Sequence, residues 1–178
     1  MKETIPKFNP AVLPSEVMKK FESADLSEAR YFLYPGQVFV TRDPITISTI
    51  LGSCAAVCLW DSHKRAGGMN HYLLPEGLGE GPNRLRYGNV ANPELLKQVL
   101  SLGCEIHNLQ AKIFGGSSAF TVDLSQSVGS RNVELAEAFL RSAGIRVVER
   151  EISGKHGRRL NFQISDGVTR IKNFDRPK

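Results

Sequence analysis

The chain has 178 residues, which fits one domain with a short extension rather than two full-sized domains. Hydrophobic residues make up 41% of it, a share that excludes global disorder. The formal charge of +5 comes from scattered Lys and Arg and suits an acidic protein surface. With no Gly-Lys-Ser/Thr phosphate loop, RNA-binding aromatic motif or zinc-finger spacing, no nucleic-acid partner is expected.

Residues 1–28 read as an N-terminal extension punctuated by Pro6, Pro10 and Pro14, with one short helix over Ser15–Phe21 after a Ser cap. Residues 29–178 read as a single domain. Met1 to Pro14 is polar and broken by prolines, so no signal core is expected there. No run approaches the ~20 apolar residues that cross a bilayer. The three cysteines, Cys54, Cys58 and Cys104, leave an odd thiol and no disulfide framework. The expected compartment is therefore a reducing cytoplasm, with no membrane insertion.

Gln37–Val40 and the β-branched stretch Ile45–Ile50 read as strands. Leu51-Gly52-Ser53 breaks the second, and Cys54–Trp60 follows as a buried strand. Asp61–Arg65 is a polar turn, and Gly67–Leu74 returns as the partner strand of a hairpin. Glu76–Asn89 is a glycine-rich loop beside the candidate site. Asn92-Pro93 predicts a helix start, with Gly103 as its stop. Ala111–Phe114 is a short strand ending in Gly115-Gly116, and a second helix is predicted over Asn132–Ala143. Ile145–Ile152 and Arg159–Ile164 are strands linked by a Gly154–Gly157 hairpin loop, and Val168–Ile171 is a last edge strand. Strands outnumber helices and most neighbours are hairpin-linked, which predicts an α+β fold.

Cys54 and His71 carry the chemistry. A thiol directly after a glycine turn, with an imidazole one short segment later, supplies a nucleophile and its base. If a four-residue loop pairs Asp61 with Ala66, Cys54 falls opposite Leu73 and His71 is its diagonal neighbour on the same face. A loop one residue shorter or longer separates them onto opposite faces. The imidazole can take the thiol proton, and backbone N–H groups around Gly52 can hold an oxyanion. A third group must orient the imidazole, and the hydroxyls of Ser48 and Thr49 are the candidates. Thiol attack on a carboxamide releases ammonia and leaves a thioester for water to hydrolyse. Against this stands the ordinary role of cysteine as a buried packing residue.

Cys58 lies four residues along the same strand and reads as core, as does Cys104 after its helix stop. His63 and His156 sit in turns and read as solvated. Cys104 and His107 do not complete a four-ligand metal set, and no metal or cofactor is expected. Gly115-Gly116-Ser117-Ser118 lacks the lysine and helix of a phosphate loop and reads as a tight turn.

Thr46–Asp61, with Leu-Gly-Ser-Cys at its centre, and Gly67–Pro75, with Gly-Gly-Met-Asn-His, together resemble the chemoreceptor glutamine deamidases of the CheD family. Lys112–Gly116, Gly129–Asn132 and Gly154–Phe162 extend the resemblance, which runs from about Gly36 to Phe174. It implies hydrolysis of particular glutamine side chains on methyl-accepting chemotaxis receptors, in adaptation of bacterial chemotaxis. It implies a layered α+β arrangement of mixed and antiparallel sheets with flanking helices, similar to deamidating bacterial toxin domains. It also implies a Cys-His-Thr triad, matched by Cys54, His71 and, at the third position, Ser48, with Thr49 as the alternative. Ser117-Ser118 departs from the small apolar residue expected after the paired glycines. The implied partners are the helical cytoplasmic part of the receptors and a CheC-type chemotaxis phosphatase. Two other readings compete: a thiol peptidase or acyl transferase, and a non-catalytic regulator that binds receptor or phosphatase.

Overall fold

A computed structural model describes residues 29–117 and 127–174 of the chain. The predicted helix over Ser15–Phe21 and the Ser118 position fall outside them. The described residues form two mixed sheets and two helices, an α+β fold. The four-stranded sheet holds β1 (Arg30–Phe32), β3 (Thr46–Leu51), β8 (Arg158–Gln163) and β9 (Thr169–Asn173), in the order β1-β3-β8-β9. The five-stranded sheet holds β2 (Gln37–Thr41), β4 (Ala55–Asp61), β5 (Ala66–His71), β6 (Leu109–Gly115) and β7 (Arg146–Ile152), in the order β2-β5-β4-β6-β7. The β1–β3 and β6–β7 pairs are parallel and the others antiparallel. Helices α1 (Gly88–Ser101) and α2 (Val128–Ser142) cover one face of the five-stranded sheet.

Two cores follow from this layering. Val57 and Leu59 pack with Leu95 and Val99 of α1 and Ala136 and Leu140 of α2. Ala56 and Cys58, on the alternate face of the same strand, pack with Ile47, Leu51, Leu160 and Phe162 of the four-stranded sheet. β4 lies at the centre of its sheet with both faces covered, so its sequence is apolar without alternation. β8 has one face on the core, so Leu160 and Phe162 are buried while Arg159 is exposed.

Four features of the structure differ from the prediction. β1 is a short strand that the sequence did not signal. Helix α1 begins at Gly88, and Pro93 lies inside it. The Asn92 side chain is fully buried and accepts from Asn70 Nδ2 at 2.8 Å, so it serves a core contact and not a cap. Helix α2 begins four residues before Asn132, because Ser127 Oγ caps it by accepting from the Ser130 N–H at 3.0 Å. β7 and β8 are not a hairpin. β7 pairs with β6 and β8 with β3, so the segment from Ser153 (φ 64°) and Gly154 (φ 88°) carries the chain from one sheet to the other.

Candidate active site

The nucleophile turn lies where the chain changes sheets. β3 ends at Leu51 in the four-stranded sheet, and β4 begins at Ala55 in the five-stranded one. Gly52, Ser53 and Cys54 make the crossing. The turn is anchored by Ser117 N–H donating to Gly52 O at 3.0 Å and Gly116 N–H donating to Cys54 O at 2.8 Å. Gly115 lies directly under it: a Cβ there would stand 2.2 Å from the Cys54 carbonyl oxygen, and φ is +109°. Only glycine fits a backbone that close and that conformation.

The β4–β5 hairpin takes the expected register. Asp61 pairs with Ala66, and Ala55 bridges Tyr72 with both backbone bonds made, at 3.0 and 3.1 Å. Continued one pair past that bridge, the register sets Cys54 across from Leu73, two residues from His71. Between the two paired stretches, the Val57 N–H donates to the Asn70 side-chain oxygen at 2.8 Å. A side chain thus stands in the ladder next to His71.

His71 is 1% exposed, at the end of β5. Thr49 comes to it from the facing sheet: Ile47, Thr49 and Leu51 share the inward face of β3, and Thr49 is fully buried. Thr49 Oγ1 lies 2.9 Å from His71 Nδ1 and 2.7 Å from the Leu33 carbonyl oxygen. Ser48 points the other way, where its hydroxyl donates to Asn161 Oδ1 at 2.7 Å. The hydroxyl on the imidazole is therefore that of Thr49 and not of the favoured Ser48, since successive residues of a strand face opposite sides.

The same bonds fix the tautomer. A threonine hydroxyl has one hydrogen to give, and the Leu33 carbonyl can only accept. Thr49 Oγ1 donates to Leu33 O, so it accepts from the His71 Nδ1–H. His71 Nε2 then carries the lone pair, and that atom is buried without a hydrogen-bond partner. Burial holds the imidazole down at about 4, with the Leu33 backbone opposing the shift, so His71 is neutral at pH 7. Burial also pushes the Cys54 thiol up, opposed by backbone hydrogen bonds at Cys54 and Gly52. Both shifts favour the uncharged forms.

Cys54 is half-buried and lines a cleft of about 560 Å³. Leu73, Leu74 and Val128 supply apolar wall, and Asn83, Arg86 and Tyr87 polar wall. These last three come from the glycine-rich loop and the turn entering α1, a segment the sequence placed beside the site without naming a residue. Cys58 and Cys104 are buried, and burial raises both thiols, so neither matches Cys54 in access. His63 and His156 are exposed, and His107 is an exposed neighbour of Glu105 at 3.2 Å. Among the described residues, no three His, Cys, Asp or Glu side chains converge on a metal position.

A family model described as CheD chemotactic sensory transduction matches residues 73–173. A protein of Trichlorobacter lovleyi named probable chemoreceptor glutamine deamidase CheD is 42% identical over 140 residues, covering 78% of this chain and 87% of that protein. Proteins of the same name from Rhodospirillum rubrum and Sulfurimonas denitrificans are 42% and 36% identical, over 79% of this chain and 80% and 92% of theirs. Among solved structures, a DUF152 protein of Neisseria meningitidis shares 11% identity and a TM-score of 0.43 over 79% of this chain and 69% of its own. The hypothetical protein YfiH of Bacillus licheniformis shares 14% and 0.41 over 64% and 49%.

Proposed function

The chain belongs to the CheD family, and on that premise we propose that it is a protein-glutamine deamidase acting on methyl-accepting chemotaxis receptors, with Cys54 as nucleophile, His71 as general base and Thr49 as the orienting hydroxyl. The observation that carries this reading is the buried, unpartnered Nε2 of an imidazole whose Nδ1 is held by Thr49, one segment away from a cysteine that lines the cleft.

The proposed reaction begins with a glutamine side chain entering the cleft. His71 Nε2 takes the thiol proton as Sγ attacks the carboxamide carbon. Because the resting pair is neutral, transfer and attack occur together, and the imidazolium exists only while its Nδ1–H is held by Thr49. N–H groups of the Gly52–Cys54 turn stabilise the oxyanion. Its collapse breaks the C–N bond, with the Nε2 proton going to the leaving ammonia. Water then adds to the thioester, giving its proton to Nε2. Breakage of the C–S bond yields glutamate, and the thiol recovers its proton from His71. The layered sheets also fit the similarity to deamidating toxin domains that the family resemblance implies.

One observation favours a second reading, a non-catalytic regulator that binds receptor or a CheC-type phosphatase through this face: burial raises the Cys54 thiol instead of lowering it. Ammonia release from a receptor cytoplasmic fragment separates the two. Turnover by the wild type, lost in Cys54→Ala and in His71→Ala with receptor binding kept, is the expected result. Binding without any ammonia release by the wild type supports the regulator, and wild-type turnover in either variant overturns the assigned roles.

A further inference from the structure

We propose that Asn132 is a positioning residue that clamps the nucleophile turn to the strand carrying the base, an inference that rests on the Cys54–His71 assignment above. Asn132 lies in the second turn of α2 and is fully buried. Its Nδ2 donates to two carbonyls: Ser53 O at 3.1 Å and Leu73 O at 2.9 Å. Ser53 immediately precedes Cys54, and Leu73 is two residues past His71. The Asn132 backbone carbonyl in turn accepts the Tyr72 hydroxyl at 2.6 Å. One helical residue thus holds both reacting segments.

The backbone alone ties these segments together through the Ala55–Tyr72 bridge, one residue past each reacting side chain. Ser53 lies outside that bridge and is exposed. The carboxamide suits the task because it offers two N–H donors from one planar nitrogen, where a hydroxyl offers one and a carboxylate none. Asn132 Oδ1 is left buried without a partner, so the donors face the two carbonyls at a cost in stability. The cleft residues Leu73 and Val128 flank the clamp, so it sets the nucleophile's height relative to the cleft wall as well as to His71.

The test measures kcat and KM for ammonia release from a receptor fragment, per folded molecule, in the full chain. Wild type and Cys54→Ala are measured first. Activity surviving in Cys54→Ala overturns the active-site assignment itself. With Cys54→Ala inactive, Asn132→Ala and the isosteric Asn132→Asp are compared with wild type below their unfolding temperatures. The clamp is expected to show as a loss in kcat of roughly 10²-fold with KM within about threefold, since misplacing reacting groups by about 1 Å costs on that order. Wild-type kcat in folded Asn132→Ala overturns the clamp and leaves the active site standing. If neither Asn132 variant folds, Tyr72→Phe removes the hydroxyl that the Asn132 carbonyl accepts and that also faces the Asn92 side chain. It is expected to lower kcat about threefold to tenfold at unchanged KM, and unchanged kcat there also overturns the clamp.

Discussion

Thr49 has a single hydroxyl hydrogen, and the Leu33 carbonyl takes it. Everything the imidazole can do follows from that allocation: Nδ1 must donate, and Nε2 must accept. Thr49→Val keeps the shape and removes the hydroxyl, leaving Nδ1 and Leu33 O buried without their partner. Its kcat for ammonia release is expected to fall on the order of 10²-fold, because the base loses its tautomer and aim. Thr49→Ser is expected to keep most of the activity, and Ser48→Ala to remain near wild type, since Ser48 spends its hydroxyl on Asn161. A Ser48→Ala loss as large as that of Thr49→Val contradicts the assignment. The sequence offered both hydroxyls, and the family resemblance favoured Ser48, which bonds Asn161 instead. Ile50 and Leu51 are adjacent apolar residues, so alternation along β3 has no clear phase. The phase could have been read from Ile47 and Leu51, the residues that share the parity of Thr49.

At the scale of the elements, the turn between β3 and β4 is shaped from below by Gly115. Gly115→Ala drives a methyl into the Cys54 carbonyl and imposes a side chain on a left-handed φ. It is expected to cost at least about 2 kcal/mol in urea unfolding and to depress turnover in the molecules that still fold. A stability within about 0.5 kcal/mol of wild type contradicts this packing. The β4–β5 hairpin was legible because a polar turn lies between two apolar runs, whereas its register depended on the loop length, which the observed Asp61–Ala66 pair settles. The β7–β8 connection was not, because a Ser-Gly turn between strands looks the same whether it closes a hairpin or crosses between sheets. The helix starts were missed for another reason. Asn92 and Asn132 carry the local signature of a cap, yet each is buried inside its helix and bonded to another element.

At the scale of the whole molecule, the neutral His71 makes folding depend on pH. Its folded value is about 4, below the ordinary value of about 6.5 in the unfolded chain. Between these values the unfolded state binds the extra proton, so stability is fully present above about pH 6.5 and declines as pH falls toward 4. The full decline from this group is on the order of 3 kcal/mol. Urea unfolding from pH 7.5 down to 5 is expected to show about 2 kcal/mol of this loss in the wild type and a shallower pH slope in His71→Ala. Equal slopes in the two proteins contradict a buried neutral His71.

The same layering brings Thr49 from one sheet onto His71 of the other, and Cys54 lies on the crossing between the two sheets. The most direct measurement of what this arrangement does is peptide mass spectrometry of a receptor cytoplasmic fragment after incubation with the wild-type chain and with Cys54→Ala. The expected result is conversion of particular glutamines to glutamate by the wild type, and none by Cys54→Ala beyond the fragment incubated alone. Equal conversion by the two proteins, or no conversion by the wild type on a fragment that it binds, contradicts Cys54-dependent deamidation.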